Sequence, residues 1–510
     1  MDPNLISKQL RKSPRSYQEL FVNSRQLFDQ PSPLFTHNNF ADIMNPSATV
    51  TNGTTTVPKL DRPLAFYGTL VHCLSQSEVE IAESTLLLVD IHGKISGLHK
   101  DVKQDQMEQL LSEQGWSTET VPLTVLQRGQ FLVPGFIDTH NHAPQWTQRG
   151  IGRGHLIMDW LNNTTFPHEA RFADPKYART TYASCVEGFL KQGVTTACYY
   201  GSLHGDATKI LAQICLEKGQ RAYVGKCNMN RESPDYYRDA SAEESIAVTR
   251  DFIDHVRTLD PKFELVTPIL TPRFAISCDA DVLSGLGKVA AEDPTLPIQT
   301  HFNETPQEME ITKKLYPEFN SESDLYEHFG LLNERSILAH CIYMDEYDMS
   351  RLEHLNCGIS HCPVSNTTSG TFGVAPIREY LRRGMKVGLG TDSGGGFSSS
   401  IMDAMRQAFV VSNAKKLSSG GADKSLSFYE IFYLATLGGA RVCNLDETIG
   451  NFKVGKEFDA LEIHTGGKNA GVITLVEDID STAKIFEKFI MSGDDRNIVK
   501  VFVKGRCVKK

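Results

Sequence analysis

The chain has 510 residues, of which 40% are hydrophobic and 22% are charged, and its formal net charge is −10. An acidic chain of this kind is not expected to take a nucleic-acid backbone or an anionic lipid surface as its main partner. No run of about 18 apolar residues predicts a membrane span, and the amino terminus lacks the apolar core of a secretory signal. The 11 cysteines include no Cys-x-x-Cys pair, which indicates free buried thiols in a reducing compartment.

The two ends of the chain differ in texture from its middle. Residues 1–60 are rich in Asn, Ser, Thr and Pro, so we predict a mostly disordered leader, with a mitochondrial transit peptide as the alternative. Short β-like runs follow in residues 61–130, and the same texture returns in residues 446–510. We expect these two flanking segments to form one small composite β-sandwich domain.

The middle of the chain, residues 131–445, alternates apolar strands with helical stretches, which is typical of an α/β fold with parallel strands. Eight strands over about 300 residues fit a (β/α)8 TIM-like barrel, whereas a doubly wound sheet would need a Gly-rich turn after its first strand. The eight predicted strands are Phe131–Ile137, Val194–Tyr200, Arg221–Cys227, Glu264–Leu270, Pro297–His301, Ser336–His340, Cys357–Ser360 and Lys386–Gly390.

Residues that can bind a metal stand at the carboxyl ends of four of these strands. His140 and His142 follow the first strand with the i, i+2 spacing that places two side chains on one face. His301 ends the fifth strand, His340 ends the sixth, and Asp392 follows the eighth. Each alone has an ordinary structural explanation, such as helix capping for Asp392. In a barrel, however, all strand ends meet at one rim, so the set predicts a metal site there.

This pattern resembles the signature of the amidohydrolase superfamily of metal-dependent barrels, from about Leu64 to the carboxyl terminus. Two-metal members commonly need a bridging carboxylated lysine on strand four. The run Glu264–Leu270 ends in no lysine, and Lys262 lies at its opposite end. The resemblance therefore implies a single metal held by His140, His142, His301 and Asp392. Zinc suits three imidazoles and one carboxylate.

Glu304, three residues after His301, resembles the proton-shuttling glutamate of the deaminase members. Zinc lowers the pKa of its bound water, and the resulting hydroxide would attack C2 of an amidine-like ring. One carboxyl group can then move both protons that the departing amine requires. The resemblance gives Asp392 the role of accepting the proton of the water and His340 that of orienting it.

Three further segments resemble the guanine deaminases within this superfamily: Pro134 to Gln145, Thr271-Pro-Arg273-Phe274, and His361 to Asn366. The resemblance implies that Gln145, Arg273 and Phe274 contact the purine, together with Glu304, His340 and Asp392. A guanidinium suits the O6 acceptor of guanine. It also implies hydrolysis to xanthine and ammonia, a homodimer and a cytosolic location.

Other interpretations stay open at this point. A related enzyme acting on another purine, a pterin or a triazine is the first alternative, and a metal-free scaffold protein is a remote one. The unrelated zinc deaminases with Pro-Cys-x-x-Cys are excluded, because the chain has no such motif. The pattern does not show whether Trp146 lines the pocket or packs beneath it.

Overall fold

The computed structural model describes residues 59–368, 370, 372–466 and 476–510. The predicted leader, residues 1–60, lies outside the described residues apart from its last two positions. All described residues belong to one compact unit. Within these ranges, no helix combines the length and the apolar character that crossing a membrane would require.

Strands and helices alternate along most of the described chain. The strands are β1 (Leu64–Cys73), β2 (Val79–Val89), β3 (Ile95–His99), β4 (Leu123–Val125), β5 (Gln130–Pro134), β6 (Phe136–His142), β7 (Val194–Tyr200), β8 (Arg221–Gly225), β9 (Cys227–Asn228), β10 (Val266–Pro268), β11 (Thr271–Pro272), β12 (Ile298–Phe302), β13 (Ser336–His340), β14 (Gly358–His361), β15 (Lys386–Leu389), β16 (Ala460–His464), β17 (Ile498–Val503) and β18 (Arg506–Lys509). The α-helices are α1 (Met107–Glu113), α2 (Ile157–Trp160), α3 (Phe166–Glu169), α4 (Pro175–Lys191), α5 (Gly205–Lys218), α6 (Ala242–Leu259), α7 (Ala280–Glu292), α8 (Pro306–Leu315), α9 (Glu322–His328), α10 (Glu346–His354), α11 (Pro363–Asn366), α12 (Ile377–Arg382), α13 (Ile401–Ser418), α14 (Phe428–Tyr433), α15 (Gly439–Val442) and α16 (Thr482–Ser492).

The largest sheet is mixed and draws its strands from both ends of the described chain. Its order is β18-β17-β16-β5-β1-β2-β3, with β4 paired to β1. Strand β16 pairs antiparallel with β5, and β5 pairs parallel with β1. Phe66, Phe458 and Phe502 pack against one another with ring centroids 5.1 to 5.5 Å apart. Apolar side chains from distant parts of the sequence therefore bury one another on this sheet.

The first predicted central strand, Phe131–Ile137, is two strands in the structure. Residues up to Pro134 belong to the mixed sheet as β5, whereas Phe136 begins β6. The chain changes sheet at Gly135, whose N–H donates to Asp459 O at 3.0 Å. A side chain at this position would lie 2.0 Å from Thr195 Oγ1, so only glycine fits. The residues on both sides of Gly135 are buried, so the apolar run in the sequence continues across the boundary between the two strands and does not reveal it.

The remaining strands form parallel sheets that carry the site. Strands β10-β8-β7-β6 make one four-stranded sheet, β12-β13-β14-β15 make a second, and β11 pairs with β9. The two four-stranded sheets meet on one side, where Asp392 N donates to His140 O at 2.9 Å. On the other side, Gln299 N donates to Leu270 O at 2.8 Å. The carboxyl ends of neighbouring parallel strands share an edge, so side chains that follow them converge.

The cysteines agree with the prediction of free, buried thiols. All 11 are free thiols, and ten of them are buried. Burial raises the pKa of the Cys73 and Cys278 thiols to about 12, which keeps both protonated and unreactive near neutral pH.

Candidate active site

Three histidines and one aspartate meet at the carboxyl ends of β6, β12 and β15. His142 Nε2 lies 3.1 Å from His301 Nε2, and Asp392 Oδ1 lies 3.4 Å from His140 Nε2 and 3.6 Å from His142 Nε2. All four side chains are buried. Separations of this size are those of ligands that surround one ion at bond lengths of about 2 Å.

The histidines are held in the state that binds metals. Burial lowers the pKa of His140, His142 and His301 below the ordinary imidazole value, which favours the neutral ring. His301 Nδ1 lies 2.6 Å from Arg273 O, and since a carbonyl only accepts, Nδ1 carries the proton. Its Nε2 is therefore free to bind an ion, in the manner of metal ligands fixed by an outer partner.

The position of Asp392 is fixed through the buried carboxylate of Asp138 on β6. Asp138 accepts hydrogen bonds from Thr391 N at 3.0 Å and from Thr391 Oγ1 at 2.6 Å. Burial raises the pKa of Asp138 to about 7, against the effect of these bonds. Burial alone would also raise the pKa of Asp392, but the adjacent His140 imidazole outweighs it and lowers that pKa below the ordinary value. Asp138 thus ties the end of β15 to β6.

Glu304 and His340 form a pair beside this cluster. Glu304 Oε2 lies 3.7 Å from His340 Nε2, and the Glu304 side chain is 11% exposed. Burial raises the pKa of Glu304, and the neighbouring His340 imidazole only partly counters this effect. On the far side of the imidazole, His340 Nδ1 lies 2.8 Å from Asn366 Oδ1 on α11. Asn366 belongs to a segment that the resemblance singled out, but sequence reasoning gave it no role.

The backbone turns sharply where these strands end. Asn303, His340 and Asp392 have φ values of 46°, 76° and 44°, in the left-handed region that residues other than glycine seldom adopt. Such strain persists where the surrounding structure fixes it and is frequent at functional sites. Here it redirects the chain directly after β12, β13 and β15, next to the cluster.

The loop after Asp392 approaches the site through glycines. A side chain at Gly395 would lie 2.3 Å from Asp392 Oδ2, and one at Gly394, with φ of 115°, would lie 2.2 Å from Gln145 Oε1. The Ser-Gly-Gly-Gly run after Asp392 therefore lets the backbone pass close to two of the predicted site residues.

Arg273 and Phe274 face the cluster from the segment after β11. Arg273 is paired with Glu169, with Nη1 to Oε2 at 2.8 Å and Nη2 to Oε1 at 3.3 Å. Burial opposes the charge of Arg273, but the Glu169 carboxylate outweighs it and raises the pKa of the guanidinium. Gln145 is fully buried and donates from Nε2 to Glu169 Oε1 at 2.9 Å. Sequence reasoning missed Glu169, which stands in Phe166–Glu169 with no motif around it.

These groups open onto one cavity that the protein partly encloses, as is usual for small-ligand sites. The predicted site residues among its lining are His142, Arg273, Phe274, His301, Glu304, His340 and Asp392. Arg153, His155 and Trp160 line it as well, although sequence reasoning did not single them out. They lie in the segment that contains Gly150, Gly152 and Gly154, whose alternation predicts a loop but not what the loop covers.

Trp146 lies outside this cavity and packs against α4. Its ring lies 5.4 Å from the Phe189 ring, its Nε1 donates to Ser184 Oγ at 3.1 Å, and the Arg149 guanidinium stacks 3.3 Å above it. Trp146 is therefore a packing residue and does not line the cavity.

The comparisons with known proteins agree with this site. The model of the amidohydrolase family matches residues 131–508. Relatives include the probable guanine deaminase of Schizosaccharomyces pombe, 42% identical over 87% of this chain and 83% of that protein. The guanine deaminase of Dictyostelium discoideum is 40% identical over 87% of this chain and 98% of its own length. Among solved structures, guanine deaminase from C. acetobutylicum with bound guanine is 32% identical, covers 87% of this chain and 99% of that one, and has a TM-score of 0.79.

The chain therefore belongs to the amidohydrolase family and, within it, to the guanine deaminases. This confirms the resemblance seen in the sequence, and the α/β fold agrees with it. The roles of the individual site residues stay predictions.

Proposed function

We propose that the chain hydrolyses guanine to xanthine and ammonia. One observation carries the proposal: Glu304, His340 and Arg273 share a cavity with a buried histidine–aspartate cluster, in a member of the guanine deaminases. A proton carrier, metal ligands and a purine-binding arginine are the parts that this reaction needs.

We propose that His140, His142, His301 and Asp392 hold one divalent ion and that the ion is zinc. Three neutral imidazoles and a carboxylate match the donors and coordination number that zinc prefers. His140 Nε2 is buried with no hydrogen-bond partner among the described residues, which supports an external ligand at this point. When bound, such an ion acidifies water, so that hydroxide becomes available near neutral pH.

The reaction forms a C2–O bond from water and breaks the C2–N bond to the exocyclic amine. The water must lose a proton, the ring nitrogen N3 must gain one, and the amine must leave as ammonia. Glu304 can carry these protons, because burial raises its pKa toward the range in which a carboxyl group both accepts and donates. In this proposal Asp392 accepts the first proton from the water, and His340 orients that water.

The base is recognised on the side of the cavity that holds Arg273 and Phe274. Arg273 carries five N–H groups on its guanidinium; two point to Glu169 and one to Cys227 Sγ at 3.9 Å, and the others can donate to a carbonyl oxygen such as O6. Phe274 offers an apolar ring face to the purine. Gln145 contributes through Glu169, to which its amide is bonded.

We further propose that the parallel strands of residues 131–445 close into the (β/α)8 barrel and that residues 61–130 and 446–510 form the composite domain. The hydrogen bonds that join the two four-stranded sheets on both sides support the first part. The shared mixed sheet supports the second. The free thiols agree with a cytosolic location. A homodimer is proposed on the resemblance alone.

The proposal is tested with purified full-length protein and guanine, following xanthine by ultraviolet absorbance. We expect turnover that a chelator abolishes and added zinc restores. Turnover of another aminopurine, a pterin or a triazine in place of guanine would contradict the proposal that guanine is the substrate. Full turnover in metal-free protein would contradict the proposal that the reaction needs a metal.

A further inference from the structure

We infer that Glu169 is a positioning residue that makes the cavity selective for purines with an oxygen at C6. The inference rests on the proposed function, since it concerns how the same cavity reads its base. Glu169 contacts Arg273, which lines the cavity, but is not itself among the lining residues. It would act by holding Arg273 and Gln145 in one arrangement.

Both oxygens of the buried Glu169 carboxylate are hydrogen-bonded. Its side chain is 0% exposed, and each oxygen accepts two hydrogen bonds. Oε1 accepts from Gln145 Nε2 at 2.9 Å and from Arg273 Nη2 at 3.3 Å. Oε2 accepts from Arg273 Nη1 and from Tyr237 Oη, both at 2.8 Å. A buried charge is tolerated when it is paired and hydrogen-bonded in this way.

The carboxylate also fixes the direction of each bond around it. An ionised carboxylate only accepts, so Gln145 must turn its amide nitrogen toward Glu169 and its oxygen away. Tyr237 Oη accepts from Leu203 N at 3.0 Å, so its own proton is directed to Glu169. A neutral amide in place of Glu169 would offer both a donor and an acceptor, and these orientations would no longer be determined.

Selectivity follows from what Arg273 can present to the cavity. Glu169 binds its guanidinium edge-on through Nη1 and Nη2, and Nη1 also donates to Cys227 Sγ at 3.9 Å. The N–H groups left over therefore keep a fixed direction, and a guanidinium has no acceptor. A purine with an oxygen at C6 satisfies these donors, whereas a purine without it leaves them unpaired in a buried site. Leaving such groups unpaired is a strong basis for rejecting an analogue.

The test measures dissociation constants of hypoxanthine and unsubstituted purine by calorimetry. Hypoxanthine has the C6 oxygen, purine lacks it, and neither carries the amine that the reaction removes. We expect the wild-type protein to prefer hypoxanthine, and Glu169→Gln to reduce that preference about tenfold or more. The KM for guanine should rise in the same variant with kcat changed much less and metal content unchanged. Glu169→Asp, which keeps the charge, should recover part of the preference.

Asp239→Asn is the matched control, because Asp239 is a buried carboxylate paired with Lys226 at 2.6 Å, away from the cavity lining. It should lower thermal stability and leave the preference unchanged. If Glu169→Gln does not fold, Tyr237→Phe removes one bond to Glu169 and should shift the preference in the same direction by less.

Equal weakening of both ligands in Glu169→Gln, or no preference in the wild type, would overturn the inference. Guanine turnover by the wild type is measured separately, so failure of the proposed function is seen in that assay and not in the ligand preference.

Discussion

The two sides of the cavity differ in how far their polar atoms are hydrogen-bonded within the protein. We call them the imidazole side, with the histidines, Asp392 and Glu304, and the arginine side, with Arg273, Phe274, Gln145 and Glu169. On the imidazole side, His140 Nε2 and His340 Nε2 are buried without a hydrogen-bond partner among the described residues. On the arginine side, the Glu169 carboxylate accepts four hydrogen bonds from its protein neighbours. Unmet polar atoms in a buried site indicate a missing external partner, whereas a satisfied network indicates a recognition surface set before the ligand arrives. The imidazole side should therefore depend on metal and the arginine side should not.

The largest effect is expected from His301→Ala. It removes one of the three clustered imidazoles of His140, His142 and His301, so the protein should lose most of its metal and essentially all guanine turnover. Metal analysis of the purified protein and the xanthine assay check this. His354→Ala, on the exposed face of α10, should retain both. A His301→Ala protein with a full complement of metal would show that the imidazole side does not hold the ion.

Glu304→Gln should separate chemistry from metal binding. The amide cannot carry a proton, so we expect kcat to fall by about 10²- to 10⁴-fold while the metal content stays at the wild-type level. Stopped-flow or steady-state kinetics with metal analysis measure both quantities. Glu310→Gln, on the exposed part of α8, is the control. A near-normal kcat in Glu304→Gln would remove Glu304 from the proton-transfer path.

Arg273→Lys probes the arginine side with its charge retained. Lysine cannot reproduce the two-point contact with Glu169, so kcat/KM for guanine should fall roughly 10- to 100-fold, mainly through KM. The backbone carbonyl that holds His301 Nδ1 remains in place, so metal content should change little. Loss of metal together with activity would show that the two sides are not independent.

How far the sequence could predict this site depends on where each residue stands. His140 and His301 lie near the carboxyl ends of buried strands and Asp392 follows one, and parallel pairing brings strand ends together whatever their separation in sequence. Their convergence could therefore be predicted from the pattern of strands. Glu169 could not, because it lies in a short helix and its partners come from three other segments. The periodicity of apolar residues in a sequence gives no information about such a tertiary contact.

Gly135 shows the same limit of sequence-based prediction for the fold. The strands on both sides of it are apolar and buried, so the sequence favours one strand, while the contacts of Asp459 and Gly193 divide it between two sheets. Val194–Tyr200, which follows a turn at Gln192–Gly193, was predicted with its observed bounds. Boundaries set by local turn residues are predictable, and boundaries set by tertiary pairing are not.

The smallest effect is expected from Phe274→Leu. Phe274 is 2% exposed, lines the cavity and lies 6.1 Å from the His301 ring. Leucine keeps the apolar contact but loses the flat face, which is worth about 0.5–1.5 kcal/mol in aromatic pairs. The KM for guanine should therefore rise roughly three- to tenfold, with kcat and metal content unchanged.

Phe302→Leu is the matched control for this change, because Phe302 directly follows His301 on β12 and packs in the main core. It should lower the melting temperature and leave the KM unchanged. If both variants raise the KM equally, Phe274 contributes packing and not a stacking surface. If Phe274→Leu instead lowers the metal content, the phenyl ring serves the imidazole side by supporting His301, and the division of the cavity into two independent sides is wrong at this residue.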